Sequence, residues 1–313
     1  MIRRTILAAL VAPSAWAQSV RPITLVAPFT PGAPPDLVAR LLAEPLQRRL
    51  GAPVIVENRP GASGTIGAEQ VARAAPDGTT LMVHTMTLSI APSLYKTLRF
   101  DPVTGLTPVT LLVETGYALC THAATFGDFG SFLAAARARP GAVNYSSPGV
   151  GTPHHLTMEL FRRQAGIAVT HVPYRGSAGA VNDLIGGQVA AMFMPIGAAL
   201  ELAKDGRVRV LGVTAEARLA DAPAVPTIAE FGIPGVVMRD WFACFAPAGL
   251  PPDTLARLVE AVNAALAEPA VSAALRGQGL TIVGGPPERL RERLAADLPR
   301  WAKVVQDAGI TPD

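Results

Sequence analysis

Cysteine, charge and long apolar runs are all scarce in this chain, and each scarcity excludes something. Only two cysteines occur in 313 residues, Cys120 and Cys244, so at most one disulfide can form. Both lie in apolar, strand-like runs (YALCTH and WFACFA). Two readings stand: two small buried side chains, or one bridge if those strands are neighbours at the Cα separation a disulfide needs. Charged residues make up 16% of the chain and hydrophobic residues 50%, a balance that argues against disorder. No basic run occurs, so a nucleic-acid partner is not expected. No apolar run reaches the length of a membrane span, and the chain is not expected to be embedded in a bilayer.

Catalytic signatures are missing as well. There is no G-x-S-x-G elbow. The Gly-rich stretch GASGTIG (61–67) lacks the Lys-Ser/Thr of a phosphate loop. GVGT (149–152) begins like a dinucleotide fingerprint, but Pro153-His154-His155 stands where the third Gly belongs. Adjacent histidines do not match the i, i+4 spacing of a helical metal pair. His84, His122 and His171 fall in or beside strands. No carboxylate pair is placed for acid/base work. The expectation is no enzyme, no metal and no cofactor.

What is present begins with a leader. Arg3 and Arg4 form a positive start, Ile6 to Ala12 an apolar stretch, and Ala15-Trp16-Ala17 a small-residue cleavage site. Residues 1–17 read as a signal peptide, and the net charge of +3 falls to +1 when Arg3 and Arg4 leave with it. Export to the periplasm is expected.

After the leader, strands and helices alternate. Strands are expected at 23–29, 53–58, 80–85, 143–146, 169–174, 188–194, 208–214 and 280–284. Helices are expected from Asp36 and over 65–74, 129–139, 152–165, 177–185, 252–267, 269–276 and 288–308, with Pro299 kinking or interrupting the last. Thr152 reads as an N-cap, and Thr227 to Glu230 as a capping box. Repeated βα units predict α/β architecture, with mainly parallel sheets and helices on both faces. Two long apolar runs, Val109–Cys120 and Asp240–Ala246, stand apart and mark two crossings between two lobes. One lobe is read as 18–116 plus 241–313, the other as 117–240.

The turn Thr30–Pro35 joins the first strand to the first helix. Such a junction aims backbone N–H groups and a helix dipole at whatever lies in front of it, which favours an anion. Similar Gly, Ser and Thr residues gather at other strand ends: Ser63 and Gly64, Thr85 and Thr87, Ser146 to Thr152, Gly176 and Ser177. Ligands of open α/β sheets bind outside the carboxyl ends of the strands. Neutral donors collected there suit a carboxylate.

These motifs carry a family resemblance. RPITLVAPFTPGAPPDLVARLLAEPL, VIVENRPGASGTIGAEQVARAAPDGTTL, NYSSPGVGTPHHLTMELF, VTHVPYRGSAGAVNDLIGGQVAAMF and DWFACFAPAGLP resemble segments of tripartite tricarboxylate transporter substrate-binding proteins, the Bug-type periplasmic receptors. The resemblance runs from about Arg21 to about Ile310. It implies a two-lobe periplasmic binding protein of the Venus-flytrap, type II-like class. It also implies a small organic acid as ligand, membrane permease subunits as partners, and a monomer.

On the first lobe the matching positions are Phe29, Pro31, Gly32, Ala33 and Pro34, then Ser63 and Gly64, then Thr85 and Thr87. On the second they are Ser146, Ser147, Gly149, Gly151, Thr152 and His155, joined by Arg175 and Met194. Trp241 stands near the second crossing, with core as its other reading. Asp36 reads first as pinning its own turn. Arg175 reads as a surface or lobe-closing residue, and His155 as holding its loop or touching ligand. Ala33 replaces the family's second Gly, and Met194 replaces a common Asp. That last change removes a partner for an ammonium group and adds soft apolar surface. A carboxylate with an apolar or aromatic body is therefore expected, and an amino acid is disfavoured. A receptor serving a signalling partner, or an enzyme using the same cleft, are the competing readings.

Overall fold

The computed structural model describes residues 21–220 and 222–311. The leader therefore lies outside the described residues. Chain order begins β1 (Ile23–Ala27), α1 (Pro34–Leu50), β2 (Val54–Asn58), α2 (Thr65–Ala72), β3 (Thr80–Thr85), α3 (Thr87–Leu94) and β4 (Leu106–Thr115). It continues β5 (Tyr117–His122), α4 (Phe129–Ala138), β6 (Asn144–Ser147), α5 (Pro153–Ala165), β7 (Thr170–Pro173), α6 (Ser177–Ile185), β8 (Ala191–Pro195), α7 (Ile196–Lys204) and β9 (Val208–Val213). It ends β10 (Asp240–Pro247), α8 (Pro252–Leu266), α9 (Pro269–Gly277), β11 (Thr281–Ile282) and α10 (Pro287–Ala308).

Two sheets result. The first has six strands in the order β11-β4-β10-β3-β1-β2, the second five in the order β7-β6-β8-β5-β9. The sheets are mixed, where mainly parallel ones were expected. β1 pairs in parallel with β2 and β3, and β6 with β7 and β8, because helices return the chain between them. β4 leaves the first sheet and β10 returns to it, so those two run antiparallel. β5 is antiparallel to both β8 and β9.

The run Val109–Cys120 breaks at Gly116 into β4 and β5, one strand in each sheet. All eight residues of β10 are buried, since it is covered on both faces inside its sheet, and its sequence is correspondingly continuous in apolar residues. Cys120 and Cys244 fall in different sheets, and both are free and buried. Burial pushes the Cys244 thiol up to about 12.

Two helices went unread in the sequence, α3 and α7. α10 runs unbroken across Pro299. The ring removes one backbone bond, but Leu290, Leu294, Trp301 and Val305 are all buried along one face of the helix. That packing, together with the Trp241 bond to Asp297 described below, holds both halves in register. The capping box forms as expected: Thr227 N–H donates to Glu230 Oε1 at 2.9 Å, and Thr227 Oγ1 accepts from Glu230 N–H at 3.3 Å. Its helix is a short 3₁₀ turn, Ile228–Phe231.

Backbone of α7 meets backbone of the turn before β11. Gly197, early in α7, lies against Gly279, in the turn before β11. A Cβ on Gly197 would fall 2.2 Å from the Gln278 carbonyl oxygen, and one on Gly279 would fall 2.4 Å from Gly197 Cα.

Candidate functional site

A cavity of about 240 Å³ lies between the sheets. Phe29, Thr85, Asp240 and Phe242 reach it from the first sheet's elements. Tyr117, Thr152, His154, Met192 and Met194 reach it from the second's. Five helices contribute residues of their first turn or cap to the wall: α1 through Ala33 to Pro35, α3 through Thr87, α5 through Thr152 to His154, α6 through Ser177, and α7 through Pro195 and Ala198. The first N–H groups of a helix have no partner inside it. Each N-terminus also favours a negative charge by about 0.3–1 kcal/mol, and by ~2 when partly buried. Among the described residues no Lys or Arg lines this cavity. The donors that reach it are neutral, backbone N–H groups and hydroxyls.

The α1 turn is less open than its sequence implies. Pro34 and Pro35 occupy the first two helical positions, where they supply no N–H at all. Gly32 N–H donates to Asp36 Oδ2 at 2.8 Å, and Ala33 N–H to the Thr30 carbonyl at 3.1 Å. Asn58 Nδ2 donates to Asp36 Oδ1 at 2.8 Å and to the Phe29 carbonyl at 3.1 Å. Arg40 Nε reaches Asp36 Oδ2 at 3.0 Å. The anion at this helix start is therefore the chain's own Asp36, which pins the turn. Burial works against its charge, yet the hydrogen bonds from Arg40, Gly32 and Asn58 hold its carboxyl below the usual range. Ala33 adopts φ −66°, ordinary extended backbone, while Gly32 takes φ +80°. The departure from Gly at position 33 thus costs no strain.

Asp240 and Tyr117 form the main polar feature of the cavity. Tyr117 Oη donates to Asp240 Oδ2 at 2.9 Å. Asp240 is 4% exposed, and its Oδ1 has no hydrogen-bond partner among the described residues. Burial raises its carboxyl to about 7 despite the hydrogen bond from Tyr117. His154 packs edge-on against the Tyr117 ring at 4.9 Å between centroids. Its Nδ1 is likewise unpartnered, and burial lowers the imidazole to about 3, so it is neutral. Thr85 and Thr87 share a hydroxyl–hydroxyl bond of 2.9 Å.

Seven of the expected positions line the cavity: Phe29, Ala33, Pro34, Thr85, Thr87, Thr152 and Met194. Pro31, Gly32 and Arg175 face a second, more open recess beside it, between the α1 turn and the start of α6. The rest stand behind. Gly64, at φ +92°, leaves room for His84 and Phe29; a Cβ there would fall 2.7 Å from His84 Nε2. Ser63 accepts a bond from Tyr95 Oη at 3.3 Å.

Ser146 Oγ donates to the Ala180 carbonyl at 3.2 Å. Ser147 Oγ meets His171 Nε2 at 2.7 Å and accepts from Gly149 N–H at 3.2 Å. Gly151 N–H donates to His155 Nδ1 at 3.0 Å, and the His155 ring stacks on His171 at 3.9 Å. These groups shape the loop before α5 from below. Thr152 Oγ1 turns back to the Gly149 carbonyl at 2.8 Å instead of capping α5. Trp241 is core: its Nε1 donates to Asp297 Oδ2 at 2.7 Å. Sequence reading passed over Tyr117, His154 and Asp240. A single acid opening an otherwise apolar run was the available signal for Asp240.

The family model described as tripartite tricarboxylate transporter family receptor matches residues 38–310. The chain belongs to this family. BugT of Bordetella pertussis is 38% identical over 299 residues, covering 95% of this chain and 92% of BugT. Solved periplasmic binding proteins share the fold, BugD among them. Two others come from Rhodopseudomonas palustris. Rpa4515, solved with adipate, has a TM-score of 0.86 at 34% identity, covering 95% of this chain and all of that one (100%). MatC, solved with bound malate, has a TM-score of 0.83 at 33% identity, covering 91% of this chain and 99% of that one. The chain is thus an α/β receptor of the two-lobe periplasmic binding protein class.

Proposed function

We propose that this receptor captures a small organic carboxylate in the cavity between its sheets and delivers it to the membrane subunits of a tripartite tricarboxylate-type permease. The lobes are taken as 18–116 with 241–313, and 117–240. Export follows cleavage after Ala17, and the protein acts as a monomer. The supporting observation is the convergence of the starts of α3, α5, α6 and α7 on one apolar cavity without a lining cation, the α1 start being taken by Asp36. α6 brings Ser177, with its N–H and hydroxyl, to this cavity, while Ala178 and Gly179 face the recess beside it.

Magnitudes favour an apolar body on the ligand. Two helix starts acting together supply about 2–4 kcal/mol when partly buried. Micromolar affinity needs about 8 kcal/mol. Burying ~150 Å² of hydrocarbon against Met192, Met194, Phe242 and Val181 adds about 4 kcal/mol. Adipate in a solved relative has that form, a carboxylate on an apolar chain. Malate in another keeps the carboxylate but not the apolar body. Closure of the lobes on the ligand would be a hinge motion biased by contacts made only in the closed form.

A thermal-shift screen of aliphatic, hydroxylated and aromatic carboxylates tests the reading. A binding acid raises the melting temperature, since it binds only the folded state. Ala198→Phe, which fills the cavity, is expected to abolish the shift. A panel with no shift, or a shift that survives Ala198→Phe, would count against this site.

A further inference from the structure

We propose that Asp240 meets the ligand in its protonated form, so that carboxylate capture is coupled to uptake of one proton. The inference rests on the carboxylate reading of the cleft and adds the protonation state that the cleft demands. Asp240 lines the same cavity of about 240 Å³ that the ligand would enter. Two carboxylates confined to so small an apolar volume cannot both stay ionised without a cation between them; one pKa rises strongly. No lining cation is available among the described residues.

The charged and titratable groups around Asp240 are few. Tyr117 from β5 donates to Oδ2. His154 from α5 packs on the other side of Tyr117 and is neutral. Arg293 of α10 lies behind the strand, committed to Asp297 at 2.9 Å and to Glu114 of β4 at 2.7 Å. Arg239, next along the chain, pairs with Glu216 at 2.8 Å. From β3 and α3 come the neutral Thr85 and Thr87 and the Met86 backbone amide, which with the Trp241 amide and the Arg293 charge favours the ionised carboxyl, although burial outweighs them.

The position of the proton follows from the bonds. Oδ2 is occupied as an acceptor, while Oδ1 has no partner. Oδ1 is therefore the position left for a proton taken from solvent, and the protonated side chain adds no negative charge to the cavity wall that Asp240 lines. No covalent bond changes. The empty-site carboxyl already titrates at about 7 because of burial. A bound anion moves it further up, so affinity is flat below about pH 7 and falls above it. One linked proton sets a limit of about tenfold per pH unit. An ionised Asp240 receiving an ammonium or hydroxyl from the ligand would give the opposite slope or none.

Calorimetric titration with adipate, malate and benzoate between pH 5.5 and 8.5, in two buffers of different ionisation enthalpy, tests this. Expected are one proton taken up above pH 7 and about tenfold weaker binding per unit. Asp240→Asn, a neutral isostere, is expected to bind at pH 8.5 as the wild type does at pH 6, with no slope. A pH-independent wild-type affinity without proton uptake overturns the proposal. So does an Asp240→Asn protein that is folded by circular dichroism and binds nothing at pH 6. Aspartate binding that strengthens as the pH rises overturns it too. Absence of binding by every probe at every pH removes the carboxylate reading itself, and the proposal with it.

Discussion

Tyr117 and Asp240, separated by 123 residues, are joined by a hydrogen bond of 2.9 Å. Tyr117 opens β5, the first strand of the second sheet, and Asp240 opens β10, the strand that returns to the first. The bond therefore ties the outgoing crossing to the incoming one at the wall of the cavity. Tyr117 N–H is held in turn by Thr214 Oγ1 at 2.9 Å, and Thr214 Oγ1 donates to the Met238 carbonyl at 3.4 Å.

Tyr117→Phe removes that donor and leaves both Asp240 oxygens unpaired. A buried acceptor left without its partner costs about 1–3 kcal/mol. The same loss is expected in urea unfolding. The wild-type difference should shrink in an Asp240→Leu background, where no carboxylate remains to be orphaned.

Asp240 makes the fold less stable as the pH rises. The unfolded chain gives up this proton near 3.8, whereas the folded chain holds it to about 7. The contribution is fully present below pH 3.8 and is lost as the pH rises through 7. Asp240→Asn is therefore expected to gain on the order of 4 kcal/mol over wild type at pH 8, with the gain vanishing near pH 4. Guanidinium midpoints at the two pH values check the sign.

The buried histidines act the other way. Burial lowers His84 to about 4 and His154 to about 3. His155 also falls to about 3, by burial and then by the nearby His171 and Arg162. Each is protonated in the unfolded chain below about 6.5, so its stability contribution is present above 6.5 and is lost as the pH falls through the folded value. Each group contributes a slope of at most about 1.4 kcal/mol per pH unit. In the Asp240→Asn protein, freed of the opposing trend, stability should drop steadily from pH 6.5 to 4.5. A flat profile there would contradict the buried, neutral rings.

Asp36→Ala should loosen the turn over the cavity. It leaves the Gly32 N–H and the Asn58 amide without their acceptor. Because the Arg40 side chain is 51% exposed, that ion pair adds little. A loss of about 3 kcal/mol is expected, mostly from the two uncharged donors. Asp36→Asn, which keeps one acceptor, should lose less. Chemical denaturation of the two variants separates these terms.

Gly64→Ala places a methyl at φ +92° against His84 and Phe29. The conformation and the contact both oppose it, at about 1–3 kcal/mol. Since Phe29 lines the cavity, ligand affinity should fall together with the melting temperature.

Much of this molecule is readable from its residues. The strands of both sheets follow from apolar runs bounded by Gly and Pro, and the helix of residues 177–185 ends as its pattern indicates. α7 escaped because IGAALELAK follows β8 directly after Pro195, the last residue of that strand, and no polar loop marks the change. The crossings were legible as apolar runs. Their polar ends were not, because Tyr117 and Asp240 acquire meaning only when distant strands bring them together. At the α1 turn the Pro34-Pro35 pair was in plain view; its consequence, two missing donors, depends on where the helix begins. Trp241 and His155 lie beside cavity residues in sequence but face away from them, since alternate residues of a strand point to opposite sides and a helix start turns its side chains through 100° per residue.

The contact of Gly197 with Gly279 has a mechanical side. Neither glycine carries a side chain, and the one side chain bonded there is Thr115, whose Oγ1 donates to the Gly279 carbonyl at 3.4 Å. A side chain at either position would push the two main chains apart, so the closeness of this junction depends on both residues being glycine.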